Sequence, residues 1–331
     1  MGMEFDVVAL GELLIDFTEN GTSKQGNPVL EANPGGAPCN VLAMLNRLGH
    51  QAGFIGKVGQ DMFGMQLESA LKEVGICTDG LVKDDKIHTT LAFVHTLEGG
   101  DRDFSFYRNP GADMMLAESE LNADMIKNCR IFHFGSLSMT DEICRNATQK
   151  AIKMAKEHGA LISFDPNLRE PLWESLDAAR EQIDYGMSQC DILKISDNEI
   201  QWFTGEQDYD KGVACLQSEY SIRLVLVSLG KEGSRAYMDG KCVQVAPFLQ
   251  EHTIETTGAG DTFCACVLHY VLEQGLREYS EEELKKMLTF ANAAASLITT
   301  RKGALRVMPE KGEIDELIKI RLSDARQRKE S

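Results

Sequence analysis

The stretch Thr256-Thr257-Gly258-Ala259-Gly260-Asp261-Thr262-Phe263 combines residue types that can do chemistry on an anion. It runs without a break into Cys264-Ala265-Cys266-Val267-Leu268-His269-Tyr270-Val271-Leu272, a long apolar run competent to form a helix. Two glycines at alternate positions before such a run describe a tight turn feeding a helix N-terminus, whose first backbone N–H groups lack intrahelical partners and attract anions. Asp261 falls in the first turn, so a carboxylate would stand beside the bound anion, an unfavourable pairing unless the carboxylate reacts. Phosphoryl transfer to a hydroxyl has that form: amides hold the charge on the phosphoryl oxygens, and the carboxylate takes the proton of the attacking hydroxyl. Taken alone, a glycine loop with Asp261 as a helix cap explains the same residues equally well. The dinucleotide fingerprint G-x-G-x-x-G is excluded because Phe263 occupies the third glycine position, and the chain has no G-x-x-x-x-G-K-[ST] phosphate loop.

The elements that must position this stretch alternate between short apolar strands and amphipathic helices. Phe5 to Leu10 reads as a buried strand closed by Gly11, and Glu12 to Phe17 as a second extended piece. Asp16 lies just past the strand end, the place where parallel sheets collect ligands; it can accept hydrogen bonds from ligand hydroxyls or close a turn on its own backbone. Gly35-Gly36 permits close backbone approach, and Asn40 offers a donor and an acceptor at the start of a helix over Val41 to Gly49 with Pro38 near its beginning. A polyol suits such a pair, and so does a plain loop and cap. Ala52 to Gly59 is the next strand, and Asp61 opens a helix that Gly75 ends.

Thr89 to His95 and Asp103 to Tyr107, around the turn Glu98-Gly99-Gly100-Asp101, read as a hairpin foreign to a β-α-β run. With the extended material before residue 33 it predicts a small second sheet, a lid built from about 12–33 and 88–111. Arg108 ends a lid strand beside Pro110-Gly111, where it either reaches back over a ligand or sits in solvent. Regular alternation then resumes: a strand at Arg130 to Phe134, a helix from Asp141 to His158, a strand at Ala160 to Phe164, a helix over 172–188 and a strand at Asp191 to Ile195. Polar groups cluster after these strands in Asp165-Pro166-Asn167-Leu168-Arg169. Lys194 and Glu199 bracket a strand-to-helix junction, where one suits phosphate and the other a magnesium-bound water or a helix cap. Arg223 to Leu229 is a strand ending in a glycine-bounded turn, 234–245 reads as short antiparallel strands, Glu281 to Thr300 as an alanine-rich helix, and Pro309 opens a last charged helix.

At 331 residues and 43% hydrophobic content the chain has ample material for a core, and without a linker or repeat it reads as one domain over 1–331. A net charge of −17 opposes nucleic acid and anionic membrane, so any phosphate must be held by helix ends and a few placed cations. The start shows no basic region followed by an apolar one, no apolar run approaches membrane-spanning length, and nine cysteines without C-x-x-C pairs read as reduced thiols. The expected location is the cytoplasm.

In this order the pieces resemble the ribokinase-like (pfkB-type) carbohydrate kinase family over nearly the whole chain. The resemblance is carried by Gly35-Gly36-Ala37-Pro38-Cys39-Asn40 running through Gly56-Lys57-Val58-Gly59-Gln60-Asp61-Met62-Phe63-Gly64, and by Thr256-Thr257-Gly258-Ala259-Gly260-Asp261. Phe106-Tyr107-Arg108-Asn109-Pro110 and Asp165-Pro166-Asn167-Leu168-Arg169 look most like the fructokinase branch. The resemblance implies an α/β fold, a three-layer α/β/α sandwich with a small β-sheet lid, and in-line transfer of the ATP γ-phosphoryl group to a sugar hydroxymethyl oxygen with Mg2+. It makes Asp261 the catalytic base and Gly258, Ala259 and Gly260 the anion hole; Asp16, Gly35, Gly36 and Asn40 hold the sugar, with Arg108 reaching from the lid. Asn167, Arg169 and Lys194 then face the triphosphate, with Arg169 also assisting transfer. Ser228, Gly230 and Gly233 border the nucleotide, and Asn292 lies near the adenine. Glu199 acts on magnesium, and Glu255 and Thr257 mark the place of a monovalent cation such as K+.

Three positions depart from the family pattern: Glu255 replaces the usual Asp, Ser196 replaces the Asn of N-x-x-E, and Val307 stands where a serine is common. The expected product is fructose 6-phosphate. A 2-keto-3-deoxygluconate kinase, with Arg108 clamping the carboxylate, is the nearest alternative, and a catalytically silent sugar-binding regulator the alternative of another class. Small lid sheets expose edges that are usually covered, which implies a homodimer through the lids.

Overall fold

The computed structural model describes residues 4–96 and 102–330, with side chains described outside 95–104 and 324–330. In chain order the strands are β1 (Phe5–Leu10), β2 (Leu14–Thr22), β3 (Pro28–Gly35), β4 (Ala52–Gly59), β5 (Cys77–Asp84), β6 (Leu91–Thr96) and β7 (Arg102–Tyr107). They continue with β8 (Cys129–Gly135), β9 (Leu161–Asp165), β10 (Ile192–Ser196), β11 (Leu224–Ser228), β12 (Ser234–Met238) and β13 (Lys241–Val245). The helices are α1 (Ala37–Arg47), α2 (Met62–Glu73), α3 (Ala123–Lys127), α4 (Glu142–Glu157) and α5 (Leu176–Gln189). After them come α6 (Asp197–Thr204), α7 (Tyr209–Glu219), α8 (Ala259–Gln274), α9 (Glu281–Ile298) and α10 (Lys311–Glu330).

Nine strands form one sheet in the order β13-β12-β11-β10-β9-β8-β1-β4-β5, parallel from β11 to β5 and antiparallel at β12 and β13. Residues alternate between its faces. Val7 and Ala9 pack with Leu42, Leu67, Val267 and Leu288 of α1, α2, α8 and α9, whereas Val8 and Leu10 pack with Ile126, Ile152, Ile183 and Val213 of α3, α4, α5 and α7. Strands covered on both faces must be mostly apolar on both, which is why β1, β9, β10 and β11 stand out as predominantly apolar runs. The result is the expected three-layer sandwich. The chain leaves β1 toward β4 and β5 on one side and later returns to lay β8 on the other, so a crevice opens above the carboxyl ends of β1 and β8.

The second sheet is β3-β2-β6-β7, with β2 parallel to β6 and the outer pairs antiparallel. It is pinned to α2 by aromatic packing: Phe17 stacks on Phe93 at 4.9 Å and meets the edge of Phe63 at 5.6 Å. The expected turn Glu98 to Asp101 lies outside the described residues. Three elements had no counterpart in the sequence reading, the edge strand β5 and the short helices α3 and α7. All three are half polar, because an edge strand and an outer helix bury one face only. No helix among the described residues is long and apolar enough to cross a membrane.

Candidate active site

A cavity of about 440 Å³ lies where the carboxyl ends of the main strands meet the small sheet. Its floor is the start of α8. Gly258 is the N-cap, in left-handed backbone (φ 76°) with no side chain capping the helix, and a Cβ there would stand 2.8 Å from the Ala304 methyl. Glycine is therefore required both by conformation and by contact. Asp261 is half-buried at this helix end and accepts a hydrogen bond from Asn40 Nδ2 at 2.8 Å. Burial raises its pKa above the ordinary carboxylate value, against the lowering by Asn40, Lys194 and Arg169, which strengthens it as a base. Asn40 in turn comes from the first turns of α1, so the two helices that start at the cavity are tied together at its floor. The Oδ1 atom of Asn40 is buried without a protein partner, an acceptor left for a ligand hydroxyl.

Asp16, on β2, lines the wall formed by the small sheet. Its carboxylate lies so close over Gly35 that a Cβ at that residue would fall 2.2 Å from Oδ2, so any side chain there would displace the carboxylate. Asn33, Gly35 and Gly36 line the same wall. The opposite wall carries Asn167, Arg169, Lys194 and Glu199. Lys194 is buried and paired with Asp165 at 3.0 Å. Burial alone would lower the Lys194 pKa, but Asp165, Glu199 and Asp261 raise it well above its ordinary value, so it stays an ammonium. Burial pushes Asp165 up to about 6 against the pull of Lys194, so both partners are charged at neutral pH. Its ammonium lies next to the α8 turn, 3.3 Å from where a Cβ on Gly260 would be. Cations, an uncapped helix end and glycine backbone form a donor set that fits a polyphosphate.

Several expected residues sit otherwise. Arg108 does not line the cavity. It is buried: Nε donates to Asp113 Oδ2 at 2.8 Å, Nη1 to Thr140 Oγ1 at 2.9 Å and Nη2 to the Leu137 carbonyl at 2.9 Å. Charge burial explains this placement, because a desolvated guanidinium needs a carboxylate, and Asp113 lies only five residues on. Asn292 is also absent from the lining. Its amide donates to the Val245 carbonyl at 3.1 Å and accepts from Ser234 Oγ at 2.8 Å, joining α9 to β12 and β13 rather than offering an edge to a base. The Ala259 N–H donates to the Thr256 carbonyl at 3.2 Å, so within the expected anion hole only Gly258 and Gly260 line the cavity. Ser228 ends β11, Gly230 and Gly233 follow it, and none of the three lines the cavity.

Glu199 has a framing task. Oε2 accepts from the Ser196 N–H and hydroxyl, and Oε1 from the Leu168 N–H at 2.8 Å, which fastens the Asn167 turn to the start of α6. That turn needs fastening, since Asn167 holds φ 44°, a left-handed backbone that asparagine tolerates best after glycine. Glu255 lines the cavity and accepts from the Gly303 N–H at 2.7 Å, beside Thr257. Sequence reasoning missed Glu12. It is buried, Oε1 accepts from the Ala37 N–H at 2.8 Å, and burial pushes its carboxyl up to about 7. Its polar character inside an apolar strand end was the available signal.

The family model described as pfkB family carbohydrate kinase matches residues 4–311. The chain is 42% identical over 318 residues to a probable fructokinase-2 of Arabidopsis thaliana, with 96% of each chain covered. Among solved structures it is similar to fructokinase with bound ATP from Xylella fastidiosa, with a TM-score of 0.86 at 29% identity, covering 96% of this chain and 99% of that one. A double mutant of Vibrio cholerae fructokinase with fructose, ADP and potassium ion bound gives 0.84 at 27% identity, covering 96% and 100%. With both signature stretches meeting across one cavity and the match running through both sheets, the chain belongs to the pfkB family of carbohydrate kinases.

Proposed function

We propose that the protein is a fructokinase that converts fructose and ATP to fructose 6-phosphate and ADP. The observation that carries this reading is the Asp261 carboxylate, held by Asn40 at the uncapped start of α8 between a hydroxyl-binding wall and a cationic wall. Asp16 and Asn40 orient the sugar so that its hydroxymethyl oxygen faces Asp261. Asp261 accepts that proton as the oxygen forms its bond to the γ-phosphorus and the bond to the ADP oxygen breaks. Lys194 and Arg169, with Asn167, hold the phosphate oxygens, and the N–H groups of Gly258 and Gly260 receive the charge that develops. When bound, magnesium would supply further neutralisation of the triphosphate, and Glu199, which frames the neighbouring turn, would act on it through a water. Glu255 and Thr257 hold a monovalent cation beside that loop. Ser228, Gly230 and Gly233 border the nucleotide beyond the cavity. The whole chain works as one catalytic domain with the small sheet as its lid.

The burial of Arg108 favours a neutral sugar over a keto-acid. Among the described residues, those that the small sheet and α1 contribute to the cavity include Asp16, Asn33, Asn40 and Phe106 and carry no cation, so a substrate carboxylate would face Asp16 with no cation from that wall to offset it. Coupled ADP release with Mg-ATP, in potassium and in sodium buffers, is expected to be fastest with fructose among fructose, 2-keto-3-deoxygluconate, ribose, glucose and adenosine. Preference for the keto-acid would overturn the substrate, and silence across the panel would favour a sugar-binding regulator.

Two chains pair through their small sheets. Edge strand β3 exposes Val29 and Leu30, and edge strand β7 exposes Tyr107, apolar surface at open edges that water leaves unsatisfied. Sedimentation at micromolar concentration is expected to give a dimer, and a monomer alone would refute the pairing. Nine unpaired thiols suit a reducing compartment such as the cytoplasm.

A further inference from the structure

We propose that the chain carries a second metal site, unrelated to the nucleotide, in which His50, His269 and Glu273 bind one zinc-type divalent cation. One ligand atom from each of the three lies within 4.8 Å of the others. His50 follows the end of α1, and His269 and Glu273 stand one turn apart on α8, so both carboxyl-terminal helix ends converge here. Such ends carry partial negative charge and favour a cation.

The two rings already hold the arrangement that a metal would take over. His50 Nε2 and His269 Nδ1 are 2.7 Å apart, a separation at which a proton must lie between them. On its other side, His50 Nδ1 faces Asp6 Oδ2 at 3.5 Å, and Asp6 is itself fixed by Arg130 and the Gln51 N–H. A carboxylate behind a ligating imidazole keeps the proton on the outer nitrogen and directs the inner lone pair at the metal. Replacing the shared proton by a cation requires His269 to carry its proton on Nε2 instead, so no net proton need be lost from the pair. Bonds of about 2.0–2.1 Å at a tetrahedral angle place two nitrogens about 3.4 Å apart. The rings must therefore separate by roughly 0.7 Å, within the freedom of a half-buried His269 side chain. The Glu273 carboxylate adds a charged third ligand from the exposed side, where solvent supplies a fourth.

Charge and ligand type select the metal. Asp6 and Glu273 offset the nearby Arg130 and Lys311. Two imidazoles with one carboxylate suit Zn2+, Co2+ or Ni2+ rather than Mg2+ or Ca2+, which take oxygen. The site lies eight residues along α8 from Asp261, about 12 Å at the helical rise. A metal there would clamp α1 to α8 at the ends opposite the Asn40–Asp261 hydrogen bond.

The test uses the full chain, stripped with chelator and free of nucleotide. Zn2+ is followed by calorimetry and by the thermal unfolding midpoint, and Co2+ by its visible absorption. The expected result is one equivalent bound, a midpoint raised by several degrees, and the intense visible bands of a four-coordinate cobalt. His269→Ala should abolish these signals. Glu273→Gln changes an exposed residue, leaves folding intact, and should weaken binding by at least about tenfold. Turnover with Mg-ATP in the absence of zinc should match the native chain in the Glu273 variant. Absence of stoichiometric binding overturns the site. So does binding of equal strength in both variants, which would assign the metal to exposed thiols such as Cys215 and Cys242.

Discussion

Asp261→Asn is expected to lower kcat by about 10²–10⁴-fold, the usual worth of a positioned general base, while sugar and Mg-ATP still bind. The amide keeps the size of the carboxylate and a partner for Asn40, but it accepts no proton. Stability should rise or hold, because a carboxylate whose pKa is raised by the fold is disfavoured there at neutral pH. The sign of the pH dependence follows from the same shift. A base with a raised pKa becomes competent only above the ordinary carboxylate range, so the acid limb of kcat/KM in the native chain should lie higher than a free aspartate would place it. Turnover and sugar calorimetry on the same preparation decide the matter. A variant that retains native turnover would remove Asp261 from the chemistry.

Arg108→Met should cost about 3–5 kcal/mol of stability, the cost of leaving one partner of a buried ion pair alone. The side chains of Arg108 and Asp113 are 3% and 2% exposed, and Thr90 donates to the same carboxylate, so water cannot replace the guanidinium. Denaturant unfolding should show the loss, with the sugar KM of the folded fraction changed little. One link to the cavity is the Leu137 carbonyl, which accepts from Nη2 while Leu137 itself lines the wall. A large rise in sugar KM with unchanged stability would return Arg108 to the sugar site.

Arg108 also marks where sequence reasoning reaches its limit. A charged residue at the end of a lid strand is equally consistent with reaching over a ligand and with turning inward, and only the distance to a partner in space decides. Asp113 was visible five residues away, but nothing local says that Thr140 and Leu137, more than twenty-eight residues on, complete the cage. Asn292 failed for a similar reason, since its partners Ser234 and Val245 belong to strands that approach only after folding. By contrast, the start of α8 was legible because turn, helix end and carboxylate all lie within six residues. The central strands were legible because burial on both faces leaves few polar positions to confuse the pattern. Strand β5 was not, because Thr78, Asp79 and Gly80 at an edge look like a loop. Glu12 was named only as the start of an extended piece. Its partner, the Ala37 N–H, is 25 residues away across the junction between the two sheets.

The cavity has one wall on each sheet: Asp16 and Asn33 on the small one, Asn167 and Lys194 on the large one. A ligand that touches both walls binds best at one spacing between them. Each tenfold preference for that spacing contributes about 1.4 kcal/mol toward holding it. Whatever one substrate contributes in this way, the other does not have to supply, and the benefit is equal in both directions. Sugar and nucleotide are thus cooperative partners through the geometry of the two sheets, without any contact between distant sites.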